Sequence, residues 1–270
     1  MIDDGRDNWY AVLFQDRGAS GRIPFLFKVS WEEGWPVISG EVYKDWSDAS
    51  LKSGLLDNDF TDAKGELNKS WQWNHNPIED CYSLMEVAGG LRLVTGHIAT
   101  GLLDARNTIT HRTVEPGCTF MVQMDCSHLK TGDYAGICAF QGKYGQIGVE
   151  MTNDGPMIKL KCKQGASFGV GAIVADKDGQ FEEWTVPATI EEIQKIHFRI
   201  DYDYDLDKDL AEFYYSFDGN EWIKLGDPMK MIFTLDMFIG YKCGIFCYAT
   251  NEIGGYVDVS NPCVEAWKKN

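Results

Sequence analysis

Apolar and polar positions alternate in short runs along most of this chain, and turn residues separate the runs. From 196 to 204, Ile196, Phe198, Ile200, Tyr202 and Tyr204 alternate with His197, Arg199, Asp201 and Asp203. A period of two puts one face in a core and the other in water. Residues 213–217 alternate the same way, and Asp218-Gly219 turns the chain into 221–225. Residues 118–126, 135–140, 146–151, 157–162, 241–248 and 256–259 supply further strands. Helical periodicity is confined to 190–195. Many short strands with few helices predict an all-β protein, a two-sheet sandwich of the jelly-roll type over residues 57–270, with no repeat at solenoid or propeller spacing.

The first 56 residues differ. Segments 9–15 and 23–29 read as a β-hairpin joined by Asp-Arg-Gly-Ala-Ser-Gly, and Trp31, Trp35 and Trp46 follow. With Trp9, that is four of the chain's 9 tryptophans, more than a hairpin buries alone, so this piece is expected to lie against something larger. Residues 47–54 are small and polar enough to be a linker.

Composition is that of a globular chain, 44% hydrophobic and 13% aromatic. A net charge of −16, from 25 Lys+Arg against 41 Asp+Glu, argues against a nucleic-acid partner and suits a neutral polysaccharide. No apolar run approaches a membrane span. Met1 to Arg6 lacks the basic and apolar regions of a signal peptide, and the 8 cysteines show no CxxC or zinc spacing. Most sit in apolar runs as small hydrophobes, so a reducing, cytoplasmic location is expected, although an even count leaves disulfides open.

Several patterns invite a chemical reading. Trp71-Gln-Trp-Asn-His-Asn-Pro77 sets two indoles on one face of an extended segment, followed by hydrogen-bonding side chains. That suits either a core strand end or a sugar-contacting surface. Gly165-Ala-Ser-Phe-Gly169 matches a nucleophile elbow, but glycine-interrupted strand follows it where a helix is required. Asp201, Asp203, Asp205, Asp207, Asp209 and Glu212 have EF-hand-like spacing, yet Leu206 occupies the position that needs glycine and the flanks are strands. The five histidines form no ligand-spaced pair, and Asn68-Lys-Ser70 is a glycosylation sequon that matters only outside the cell. A glycosidase carboxylate pair is defined by its separation in space and is not assignable from sequence.

Five stretches are more specific: Trp71 to Pro77, Leu103-Asp-Ala-Arg-Asn-Thr-Ile-Thr-His-Arg-Thr113, Ala135-Gly-Ile-Cys-Ala-Phe-Gln-Gly-Lys-Tyr-Gly-Gln-Ile-Gly-Val149, Phe213-Tyr-Tyr-Ser-Phe-Asp-Gly219 and Gly254-Gly-Tyr-Val-Asp258. In this order they resemble the C-terminal domain of glycoside hydrolase family 43 β-xylosidases, a concanavalin A-like jelly-roll β-sandwich also classed as carbohydrate-binding module family 91. The resemblance covers 57–262. Segment 9–24 with Trp31-Glu-Glu-Gly-Trp-Pro36 resembles the end of the last blade of the family's five-bladed catalytic propeller. The family often has His at the position of Arg17, where it is placed to contact the ion at the propeller centre. Here the pattern departs.

The resemblance implies that residues 1–56 are a propeller remnant with linker and that the family's catalytic carboxylates lie on earlier blades, so the chain reads as a truncated, non-catalytic tail. Its expected role is an accessory domain meeting xylan or xylo-oligosaccharide and shaping the pocket of a family 43 catalytic propeller. Sugar contacts are expected from Trp73, Asn74, His75 and Asn76, with Arg106, Asn107, Gln141 and Tyr144, although Arg106 reads equally as a structural ion pair and Tyr144 as a turn aromatic. Alternatives are a purely structural or oligomerising domain, including a homo-oligomer, and a residual glycosidase. No cofactor is required. Asp59 and Asp258 would meet at a structural calcium if the first and last sandwich strands pair.

Overall fold

A computed structural model describes residues 1–42, 58–163, 181–205, 208–234 and 237–268. The elbow-like motif at Ser167, the linker segment 47–54, Trp46, Leu206 and Asp207 lie outside the described residues. Strands β1 (Ile2–Asp3), β2 (Trp9–Asp16), β3 (Arg22–Glu32) and β4 (Trp35–Val42) form one antiparallel sheet in that order. The sequence suggested only a hairpin. The added β4 follows a two-residue turn in which Glu33 and Gly34 take φ of 48° and 82°, the left-handed conformation that tight hairpins require.

The rest of the described chain carries β5 (Gln72–Trp73), β6 (Tyr82–Ser83), β7 (Leu91–Val94), β8 (Ile109–Arg112), β9 (Gly117–Asp125), β10 (Asp133–Phe140), β11 (Tyr144–Thr152), β12 (Gly155–Lys163) and β13 (Phe181–Pro187). Then come α1 (Ile190–Ile193), β14 (Ile196–Asp203), β15 (Leu210–Ser216), β16 (Ile223–Lys224), β17 (Met229–Lys230), β18 (Lys242–Ala249) and β19 (Tyr256–Ala266). One sheet runs β13-β12-β11-β10-β18-β8-β5 and the other β16-β15-β14-β9-β19-β7-β6, with β17 also on β15. The short α1 is held by a capping box, in which Thr189 Oγ1 accepts from Glu192 N and the Glu192 carboxylate accepts from Thr189 N.

Alternation builds the core between the sheets. Ile196, Phe198, Ile200 and Tyr202 of β14 are fully buried and face Phe120, Val122 and Met124 of β9 in register. Ile137 pairs with both Ile147 and Ile245 at the centre of the other sheet. On the wet face of β14, Arg199 makes two hydrogen bonds of 2.9 and 2.6 Å to Asp201, whose carboxylate also accepts from Thr119 Oγ1.

The sheet containing β10 is covered on its outer face as well. Tyr134, Cys138, Phe140, Phe246 and Tyr248 form a second apolar cluster with Ala99, Leu102 and Ala105 from the β7–β8 connection. Every residue from 133 to 149 is consequently buried.

Candidate functional site

The segment 71–78 lies along β8, and backbone and side chains stitch the two together. Trp71 is buried against Phe60, Phe120 and His111, and its Nε1 donates to the Asp59 carbonyl at 3.2 Å. Trp73, two residues on, is half-buried and packs its indole against Tyr82 at 4.7 Å between ring centres, the planes inclined by 52°. Asn74 N donates to Thr108 O. His75 Nε2 donates to the Leu103 carbonyl at 2.8 Å, and Arg106 donates twice to the Asn76 carbonyl, at 3.1 and 2.7 Å. His75, Asn76 and Arg106 are exposed. They form a polar edge beside Trp73 whose conformation is fixed from below.

Three of the expected contact residues serve the fold instead. Asn107 is 3% exposed at φ 56°, and its amide clamps Ile78, accepting from N at 2.7 Å and donating to O at 3.1 Å. Gln141 is completely buried; its amide donates to the Thr234 and Ile239 carbonyls and accepts from Thr234 Oγ1 and Gly142 N. Tyr144 is 3% exposed within the second apolar cluster, where burial pushes its phenol up to about 12. The polar edge and these buried groups are therefore separate, and the expected eight-residue surface contracts to the part around residues 73–76 and 106.

The two carboxylates considered for calcium do not converge. Asn58, beside Asp59, donates to Val264 O near the end of β19 at 3.4 Å. Asp258 lies six residues earlier on that extended strand and receives two hydrogen bonds from Arg92 at 2.7 and 2.8 Å. At roughly 3.3 Å per residue the two carboxylates stand far apart. Within the acidic spacing of 201–212, Asp201, Asp203 and Glu212 are held in ion pairs with Arg199, Lys208 and Lys224. No group of three or more metal-ligating side chains occurs among the described residues. All eight cysteines are unbridged, and burial raises the Cys118 and Cys162 thiols to about 12, so they act as core hydrophobes.

A second feature, which sequence reasoning missed, is the seam between the four-stranded sheet and the sandwich. The β2–β3 turn inserts Ala19, fully buried, into the main core. Arg17 bonds both oxygens of Glu115, at 3.2 and 2.9 Å, and Ser20 Oγ donates to the same carboxylate at 2.7 Å. Tyr241 N donates to Ala19 O at 2.9 Å. A Cβ on Gly240 would fall 2.1 Å from Ser20 O, so only glycine allows this approach. Beside the seam the Arg22 guanidinium lies 4.8 Å from the Phe14 ring and 4.5 Å from that of Phe238. Phe14 and Phe238 are 60% and 59% exposed, and Phe238 takes φ 52°.

The four-stranded sheet has apolar side chains open to solvent on both faces. Val12, Phe14, Trp35 and Val37 share one face by register, and Leu13, Trp31 and Ile38 the other.

Residues 57–262 match the family model of the beta xylosidase C-terminal concanavalin A-like domain. The chain belongs to this family. A bifunctional GH43-CE protein of Bacteroides eggerthii is 36% identical with a TM-score of 0.81, covering 97% of this chain and 33% of that one. A beta-xylosidase of Formosa agariphila is 24% identical over 93% of this chain and 44% of its own length. A xylosidase/arabinosidase of Butyrivibrio fibrisolvens is 32% identical over 34% of this chain and 20% of its own. This β-xylosidase C-terminal domain with its preceding sheet thus spans less than half the length of the curated relatives it matches.

Proposed function

We propose that this chain is the non-catalytic C-terminal part of a family 43 glycoside hydrolase acting on xylan-type substrates, and that it has two jobs. Its four-stranded sheet joins the catalytic propeller, and its sandwich presents the Trp73, His75, Asn76 and Arg106 edge to a xylo-oligosaccharide. The observation that carries the reading is the sheet with apolar residues exposed on both faces, anchored through its turn in the sandwich core. An isolated soluble sheet covers at least one face; a propeller blade is covered on both by its neighbours. The Phe14, Arg22 and Phe238 cluster would then stand where the sandwich meets the catalytic part and would contribute a wall to its pocket.

Isothermal titration with xylohexaose tests the sugar-contacting edge. The chain is expected to bind at millimolar concentration, and Arg106→Ala with His75→Ala to abolish the heat. No heat from the unmodified chain removes the binding claim. A chromogenic xyloside is expected to stay intact in the same samples, since the proposed role contains no hydrolysis. The exposed apolar faces also support a second reading, a structural domain that only completes the enzyme. It predicts no sugar heat but full association with a propeller supplied in trans.

A further inference from the structure

The seam encloses an open cleft of about 300 Å³, lined by Ser20 and Ile23 from the N-terminal sheet and by Arg112, Thr113, Val114 and Glu115 from the end of β8 and its connection. Its charges are unevenly satisfied. Glu115 is neutralised from one side by Arg17 and accepts a hydrogen bond from Ser20. Arg112 is exposed, and among the described residues no carboxylate, carbonyl or ring meets its guanidinium, whereas Arg17, Arg22, Arg92 and Arg199 each hold a carboxylate. Directly opposite Arg112 on the next strand stands Lys242, so two cations share one face of neighbouring strands. Among the described residues the Lys242 ammonium has a neutral partner alone, Gln72 Oε1 at 2.7 Å.

Two like charges placed opposite each other destabilise a sheet, and an uncompensated pair on a chain of net charge −16 needs a reason. We propose that this cleft takes the carboxylate of a uronic-acid unit on an acidic oligosaccharide, with Arg112 as the bidentate anchor and Lys242 as the second cation. A guanidinium matches a carboxylate with two parallel hydrogen bonds. The Ile23 and Val114 side chains supply apolar wall for a ring face, and a cleft of this size is at the small end of ligand sites, suited to one sugar unit. The surrounding negative field rejects polyanions such as nucleic acid and tolerates a single carboxylate held at the cation pair. Burial also lowers the Lys242 ammonium from its ordinary range, the cost expected of a cation that lacks an anionic neighbour.

The inference rests on the proposed reading that the chain meets xylan-type oligosaccharides, and the experiment separates the two. Titrate the chain with xylohexaose, with a xylo-oligosaccharide of similar length carrying one glucuronic acid, and with free glucuronate. The acidic oligosaccharide is expected to bind about tenfold more tightly than the neutral one, a 1.4 kcal/mol preference. Arg112→Gln and Lys242→Gln are each expected to erase that preference without lowering the melting temperature, since each relieves a like-charge pair, and without changing the affinity for xylohexaose. Free glucuronate is expected to compete with the acidic oligosaccharide only. Equal affinity for the two oligosaccharides, or a preference that survives Arg112→Gln, overturns the inference while leaving the sugar-contacting edge intact. Acid-selective binding with no heat from xylohexaose has the opposite meaning. Silence from all three ligands removes both.

Discussion

Asn107 shows how a residue that looks like a ligand contact can be a structural pin. Its left-handed backbone and buried amide hold the 71–78 segment against β8 through Ile78. Asn107→Ala leaves both Ile78 groups without their partner and is expected to cost about 1–3 kcal/mol in urea denaturation. Asn107→Gly, which keeps the backbone free, is expected to cost less. Asp133 is the other residue with a measurable signature. Its side chain is fully buried, one oxygen accepting from Lys130 N at 2.7 Å, and burial raises it to about 6, opposed by Lys130 and reinforced by Glu252. Because the folded value lies above the unfolded one, its contribution is fully present below about pH 4 and is lost as pH rises through 6. Asp133→Asn should therefore gain on the unmodified chain as pH rises from 4 to 7. Parallel urea midpoints across that range would refute the assignment. Such residues were illegible in the sequence because Asn, Gln and Asp on a strand or turn read as wet. Gln141 is dry because Thr234 and Ile239, nearly a hundred positions away, meet its amide through their carbonyls.

At the scale of elements, β14 was legible because its alternation is strict and one of its faces is solvated. β10 and β11 were placed correctly as strands, but their second buried face depends on the β7–β8 connection, which has no periodicity to reveal where it lies. β4 was missed because Pro36 argues against a strand. It is tolerated on the sheet edge, where an absent N–H costs no ladder bond. The seam offers a contrast in magnitude. Glu115→Gln weakens a partly exposed ion pair and should cost only about 0.2–1 kcal/mol. Gly240→Ala drives a methyl into Ser20 O and should cost about 1–3 kcal/mol. Hydrogen exchange should show β2 and β3 losing protection in the glycine variant while β9 and β14 keep theirs.

For the whole molecule, the exposed residues on both faces of the four-stranded sheet predict self-association in the absence of a propeller. Sedimentation is expected to show mass rising with concentration, and Phe14→Lys with Trp35→Lys to return the chain to a monomer. A concentration-independent monomer would mean that these faces are sheltered by the chain itself. The family domain was legible from its five ordered motifs, and the family match covers the same stretch. The placement of the first 42 residues was not, because tryptophans reveal that a surface must be covered without saying by what.

Ala19 sits wholly within the sandwich's own core although it belongs to a strand pair that precedes the family domain in sequence. The evolutionary boundary near residue 57 is consequently not a boundary of cooperativity. The β2–β3 tip and the sandwich are expected to melt in one transition, and a chain begun at residue 58 would carry a hole where the tip had been.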